Sequence, residues 1–276
     1  MELMHTQIDR EKMNQLWGNQ RSNRIWILNH SLNEDKCIER MIRSTKALNP
    51  YKIIVGIDSR TNDLTEGLAL SLGTETFQFD WCHNFSYPKN LLTHKVPKGD
   101  WCLVMGGDFE LQKHTVQEIL EFIDGDCNVA AKFQIPEYAP DDRPVVTRPR
   151  ALLWRSHPLL YWERLVHEEM LFSLYRLLAI GIPFTPDKDI PLLGGTNGIV
   201  HYADHEDTPE EKWRKRCYYL VLYEIDRKLR RSNRPEEDIK NYDVDKLVSG
   251  YMHGLPEGLE ELYERSKIIH TSIEYD

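Results

Sequence analysis

Two carboxylates in this chain stand where strand-length apolar runs end. Trp101-Cys102-Leu103-Val104-Met105 leads into Gly106-Gly107-Asp108, then Phe109-Glu110. The run from Tyr51 to Ile57 ends in Asp58. In open α/β sheets, ligands gather outside the carboxyl ends of the strands. A carboxylate there suits a divalent cation held against a phosphate, because hard cations prefer oxygen donors. The Gly-Gly-Asp segment also reads as a plain strand-to-loop turn with Asp108 capping the next helix, since Gly and Asp dominate turns for local reasons. In a parallel sheet, Asp58 and Asp108 open onto one edge, and Asn33-Glu34-Asp35 joins them there after the first strand. The run from Asp58 to Thr65 is short, polar and helix-initiating. It can hydrogen-bond a base or ribose, or serve simply as a well-capped loop.

The elements that must position these residues alternate. Strands are predicted at 24–30, 51–58, 75–79, 101–105 and 128–135. Helices are predicted at 35–48, 65–72, 87–96 and 114–123, after a short polar helix at 5–20. Strand, helix, strand in this rhythm means βαβ units and a mostly parallel sheet. Pro136, Pro140, Pro144 and Pro149 mark loops and edge segments. From Thr208 to Leu229 and from Glu236 to Arg265, charges interleave with apolar residues at helical spacing. Thr208-Pro209-Glu210-Glu211 is a good helix start, with a cap residue, a first-turn proline and acids at the positive dipole end. The expected organisation is an N-terminal helical extension over 1–23, an α/β domain over 24–205 and a C-terminal helical region over 206–276.

Composition narrows the function classes. The 276 residues carry 35 basic and 44 acidic side chains, a net charge of −9. That opposes general nucleic-acid binding, which needs a basic surface. No apolar run approaches the ~20 residues of a membrane span, and the polar stretch from Met1 to Arg24 does not read as a signal peptide. Five scattered cysteines without a CxxC read as reduced thiols rather than a disulfide frame. The expected location is the cytoplasm, or the cytoplasmic face of a membrane.

The order of the motifs resembles family 2 glycosyltransferases of the GT-A fold, closest to the bacterial branch with lipopolysaccharide-core and peptide glycosyltransferases. Asn33-Glu34-Asp35 stands for that branch's Asn-Glu-Glu turn. Asp58, Thr61, Asp63 and Thr65 match its Asp-x-x-Ser/Thr-x-Asp-x-Thr. The segment from Phe79 to Asn90 matches Phe-x-Trp-x-x-Asp-Phe-Ser-x-x-Arg-Asn. Gly99-Asp100-Trp101 precedes the acidic strand end, as in the branch. Farther on, Arg150 to Arg155 is similar to its Arg-rich strand, Leu165-Val166-His167-Glu168 to its Val-His-Glu, and Ile199-Val200-His201-Tyr202 to its late strand ending in His. The resemblance runs from about Arg24 to Cys217.

It implies a GT-A (Rossmann-like) sheet flanked by helices, with a C-terminal helical appendage. It also implies a nucleotide-diphosphate sugar donor, UDP-sugar favoured, an inverting displacement and Mn²⁺ or Mg²⁺. Glu34 and Asp58 are assigned to the nucleoside, Asp58 toward the base, with Asp63 and Gly107 on the same donor side. Lys89, Arg150 and Arg155 are candidates for the diphosphate charge. Asp108 is the metal ligand, and His201 a second metal or diphosphate contact. Glu168 is the candidate general base with Glu169 as rival, and His167 orients the diphosphate or the acceptor. The acceptor is a glycan, a lipid-linked molecule or a peptide. The chain departs from the pattern at Gly106, where the family's Asp-x-Asp has its first acid, at Phe109, at Asn84 (usually Asp) and at Lys89 (usually Arg). Lys89 keeps the charge but not a planar fork.

Other features carry two readings. Gly194-Gly195-Thr196-Asn197-Gly198 lacks the Lys-Ser/Thr of a P-loop and reads as a mobile loop able to close over a donor, or as a hairpin turn. The basic run Lys212 to Arg216 and the cluster Lys228 to Arg234 read as a solvated face, or, with Trp213, Tyr218 and Tyr219 interleaved, as a peripheral membrane or acceptor contact. Val166 to Met170 is not His-Glu-x-x-His, which speaks against a zinc protease. The rival to a working transferase is a catalytically silent nucleotide-sugar-binding protein of the same fold. A nucleotidyltransferase ranks last, because Asn29 to Asp35 holds no Gly-rich basic loop.

Overall fold

A computed structural model describes residues 10–125, 128–135, 137–138, 144–145, 149–166, 190–201, 209–231, 239 and 241–253. The strands are β1 (Ile25–Ser31), β2 (Lys52–Asp58), β3 (Glu75–Phe79), β4 (Trp101–Val104), β5 (Phe109–Leu111), β6 (Ala130–Phe133), β7 (Glu137–Tyr138), β8 (Pro144–Val145), β9 (Arg150–Arg155), β10 (Leu192–Leu193) and β11 (Ile199–His201). The helices are α1 (Arg10–Trp17), α2 (Ile38–Thr45), α3 (Thr65–Ser71), α4 (Ser86–Thr93), α5 (Lys113–Asp124), α6 (Pro209–Arg231) and α7 (Val244–His253).

Seven strands form one sheet in the order β10-β6-β9-β4-β1-β2-β3. β1, β2, β3 and β4 are parallel, and β9 runs antiparallel between β4 and β6. The central strands are buried almost continuously, β4 along its whole length, as expected for a sheet covered on both faces. α2 buries Ile38, Met41, Ile42 and Thr45, a spacing that puts all four on one helical face. Met13, Leu16 and Trp17 join the core of the sheet, and the Trp17 indole N–H donates to the Ser156 carbonyl at 2.9 Å.

The chain falls into two compact units, 1–206 and 207–276. Among the described residues of the second, α6 packs with α7. Along α6, Cys217, Val221, Leu222, Ile225 and Leu229 are buried, while Arg214, Lys215, Arg227 and Lys228 face solvent. Among the described residues, no helix is long and apolar enough to cross a membrane.

The topology locates the site. From β1 the chain steps outward to β2 and β3, then crosses back to β4 on the other side of β1. The strand order reverses between β1 and β4, and open α/β sheets bind ligands at that crevice, beyond the carboxyl ends. Two small ribbons complete the first unit: β7 with β8, and β5 antiparallel to β11.

Candidate active site

The crevice is built by close approach of the segments that follow β1 and β4. Asn29 is fully buried, and its side-chain amide donates to the Met105 carbonyl at 2.9 Å. The Ser31 hydroxyl donates to the Asn29 carboxamide oxygen at 2.6 Å. Gly107 lies so near that a Cβ there would stand 3.1 Å from Glu34 Cγ and 3.2 Å from Ser31 Oγ. A side chain at 107 would push Glu34 aside, so glycine there is a condition for the Glu34 position. The Cys37 thiol donates to the Glu34 carboxylate at 2.8 Å and fixes it further.

The Glu34 and Asp58 loops are tied through Asp63. One of its oxygens accepts the Asp35 N–H at 3.1 Å, and the other accepts the Thr65 N–H at 3.0 Å. The Glu34 N–H donates to the Thr65 hydroxyl at 2.7 Å, and Asn33 takes a left-handed φ of 54° with its side chain accepting the Asn62 N–H. Burial works to raise the Asp63 pKa, but bonds from the Thr65 hydroxyl and the Thr65 and Asp35 amides outweigh it, leaving the carboxyl below its ordinary value.

Asp108 stands four residues past β4, directly before β5. Pairing of β5 with β11 sets His201 opposite Phe109. His201 Nε2 and Asp108 Oδ2 are 2.7 Å apart, and the imidazole meets the Phe109 ring edge-on at 5.5 Å between centroids. Residues 93 positions apart thus present a carboxylate and an imidazole side by side, both partly exposed. Two ligands bound to one cation at ~2.1 Å and right angles stand roughly 3 Å apart. A carboxylate oxygen beside an imidazole nitrogen is a donor pair that fits a divalent cation once the two turn toward a shared point and the ring nitrogen carries no proton. Among the described residues, no group of three or more His, Cys, Asp or Glu side chains converges.

No protein-family model matches the chain, and no curated protein matches it by sequence. Solved structures do. Glucosyl-3-phosphoglycerate synthase from Mycobacterium tuberculosis, in complex with phosphoglyceric acid, superposes with a TM-score of 0.51 at 14% identity, over 81% of this chain and 85% of that one. The same enzyme with Mg²⁺ and uridine diphosphate gives 0.50 at 14% identity, over 81% and 84%. S. aureus TarS is similar at a TM-score of 0.48 and 15% identity, over 72% of this chain, but the chain spans only 39% of TarS.

The fold is GT-A. At such identity the likeness bears on architecture alone.

Asp58 closes β2, and Glu34, Asp63, Gly107, Asp108 and His201 lie in the loops at the carboxyl edge of the sheet or at the ribbon beside it. Lys89, in the second turn of α4, is buried, its Nζ 4.3 Å over the Trp162 ring. α4 is clasped by the 162–166 segment. The Phe85 N–H donates to the Leu165 carbonyl at 2.9 Å, and Asn90 exchanges two bonds with the Trp162 backbone. That clasp brings the Asn84-to-Asn90 motif against the start of Leu165-Val166-His167-Glu168. His167, Glu168 and Glu169 themselves lie outside the described residues. Arg150 begins β9, opposite Phe133 at the end of β6, and so stands on the same edge as Asp108.

Arg155 is not brought to the site. β9 is antiparallel to β4, and Arg155 pairs with Trp101 at the amino end of β4, the opposite edge of the sheet. It is buried there, donating to the Ser22 and Gly99 carbonyls at 2.9 Å each, with its guanidinium over the Trp101 ring. A strand with an arginine at each end delivers only one to each edge. Asp100 marks the same far edge, accepting from Ser22, Arg24 and the Trp26 indole.

The Gly194–Gly198 segment is a packed turn rather than a free lid. The Gly194 N–H donates to the Glu118 carboxylate at 2.7 Å, and the Gln112 N–H donates to the Gly198 carbonyl at 3.0 Å. Gly194 has φ +73°, and a Cβ there would meet Gly198 Cα at 2.4 Å. These bonds seat the turn that leads into β11 on α5, and the pairing of β11 with β5 carries His201 to Asp108.

Two contacts emerge only in the structure. Arg60 grips Asp58, and Phe109 fills the space beside Gly106, where a Cβ would lie 3.0 Å from two of its ring carbons. The i, i+2 spacing of Asp58 and Arg60 was the available signal for the first. For the second it was the coincidence of a missing acid and an added aromatic three residues on.

Proposed function

We propose that this chain transfers a sugar from a nucleotide-diphosphate sugar, UDP-sugar favoured, to an acceptor hydroxyl on a glycan, lipid-linked molecule or peptide. The observation that carries the reading is the Asp108–His201 pair beside the β1/β4 crevice of a GT-A sheet. The nucleoside lies over the ends of β1 and β2, where Glu34 and Asp58 stand. Asp108 and His201 would hold Mn²⁺ or Mg²⁺, the imidazole favouring Mn²⁺ over the harder ion. When bound, the cation offsets the charge that develops on the leaving diphosphate.

The chain's own groups do the rest. Arg150, on the same edge, meets diphosphate charge, and Lys89 adds a buried positive charge to the same side. Glu168 takes the proton from the acceptor hydroxyl, a role typically supplying ~10²–10⁴-fold, and His167 orients the diphosphate or the acceptor. Direct displacement inverts the anomeric carbon. The exposed basic residues of α6 give an anionic acceptor or membrane surface a contact on the second unit.

A second reading is favoured by one observation. A Cβ at 106 would lie 2.8 Å from Asp108 Oδ1 and 3.0 Å from two Phe109 ring carbons, so an acid there would displace both side chains. That suits a nucleotide-sugar-binding protein without turnover. Thermal shift with UDP and Mn²⁺ tests the binding that both readings share. Release of UDP from UDP-sugars, with and without acceptor, separates enzyme from binder. If no nucleotide raises the melting temperature with Mn²⁺ present, both readings fail.

A further inference from the structure

Asp58 is the strand-end carboxylate assigned to the base, yet in the structure it is already engaged. Arg60 donates from Nε to Oδ1 at 2.9 Å and from Nη2 to Oδ2 at 2.6 Å, and its backbone N–H adds a bond to Oδ1 at 3.0 Å. Asp58 is 2% exposed, so this fork closes the carboxylate off. The Arg60 guanidinium carbon stands 5.1 Å over the Trp81 ring, and Trp81 is braced edge-on by Phe85 at 4.8 Å. The backbone beneath is equally fixed. The Thr61 N–H donates to the Asp58 carbonyl at 2.8 Å, and the Ser59 N–H to the Phe79 carbonyl at 2.9 Å. Half of the Arg60 side chain remains open to solvent.

A nucleobase reaching for Asp58 brings neutral N–H donors, whereas Arg60 supplies charged ones in a matched fork. Charge-assisted hydrogen bonds are roughly twice as strong as neutral ones, and Arg60 also keeps its contact with the Trp81 face. Exchange of Arg60 for a base is therefore uphill. Guanidinium planes are good stacking partners for bases.

We infer that Arg60, held flat by Asp58 and Trp81, is the platform on which the nucleobase stacks, and that Asp58 acts on the nucleotide only through Arg60. This rests on the nucleotide-binding reading above. It makes Asp58 a positioning residue and Arg60 the base contact.

Calorimetric titration with UDP and with ribose 5-diphosphate, which lacks the base, tests it in the full chain with Mn²⁺. Arg60→Ala weakens UDP about tenfold, the loss of one stacked base, and leaves ribose 5-diphosphate unchanged. Arg60→Lys, which keeps the charge without the plane, weakens UDP as well. Asp58→Asn weakens UDP, and adding it to Arg60→Ala costs nothing further, the signature of residues acting as a unit. Tighter UDP binding in Arg60→Ala, full affinity in Arg60→Lys, or an equal loss for ribose 5-diphosphate overturns the inference. If Asp58→Asn fails to fold, the two half-exposed Arg60 variants still decide it. A wild-type chain that binds no nucleoside diphosphate overturns the nucleotide reading itself, before any variant is made.

Discussion

Gly106→Ala should be harmful out of proportion to one methyl group, and the structure says by how much. The new Cβ would lie 2.8 Å from Asp108 Oδ1 and 3.0 Å from two Phe109 ring carbons, against ordinary contact beginning at 3.4 Å. Asp108 must retreat by about 0.6 Å and Phe109 by about 0.4 Å, to judge from those distances. Neither moves freely. Asp108 is held at 2.7 Å by His201, and the Phe109 ring is packed on the same imidazole. Overpacking of this kind typically costs about 1–3 kcal/mol, and stretching the Asp108–His201 bond adds up to about 1 kcal/mol. For a unit of this size the melting temperature falls by roughly 2–4 °C per kcal/mol. Scanning calorimetry of Gly106→Ala, Phe109→Ala and the double variant measures it. Removing the ring removes part of the clash, so the double variant is less damaged than the two singles predict, by about 1 kcal/mol. A Gly106→Ala chain that melts with the wild type, or strictly additive costs, refutes the idea that Gly106 and Phe109 are coupled around the Asp108 carboxylate.

Gly198→Ala places its Cβ 2.7 Å from the Gly194 backbone, a clash that no rotamer relieves. It should lower the melting temperature and also erase the Mn²⁺-dependent stabilisation by UDP as fully as His201→Ala does; retention of that stabilisation would break the link between this turn and the site. Asp63 has a depressed pKa in the folded chain, so its stabilising effect is complete above the unfolded value near ~3.9 and fades as pH falls through the folded value. Asp63→Asn should therefore flatten the acid limb of a stability-versus-pH curve below about pH 4, and an unchanged limb counts against the assignment. Asp108→Ala should abolish transfer together with Mn²⁺-linked UDP binding. Glu168→Gln should spare donor binding and stop turnover; normal turnover in either variant removes that residue from its role.

Much of the site was legible because its chemistry sits at strand ends. Apolar runs closing on Asp58 and Asp108 need only the parallel-sheet rhythm to bring both acids to one edge, and the observed β1, β2 and β4 do so. The late strand Ile199–His201 was legible as well, but its partner β5 was not. Three residues with no clear alternation, Phe109–Leu111, become a strand only because β11 pairs with them. Arg155 shows the converse. Its sequence context matched a basic strand, but strand direction, which local residues do not encode, set it on the far edge.

The sequence by itself determined the main strands and helices of the α/β domain, the carboxylates at the ends of two strands and the glycines that let the crevice close. Those depend on periodicity and local backbone freedom, both written within a few residues. Only the tertiary structure decided which donors meet. His201 reaches Asp108 through a two-strand ribbon and a packed glycine turn, the Phe109 ring packs beside Gly106, and Arg60 covers the carboxylate assigned to the base. Each of these outcomes turns on side-chain packing across the sheet edge, which composition and spacing cannot resolve.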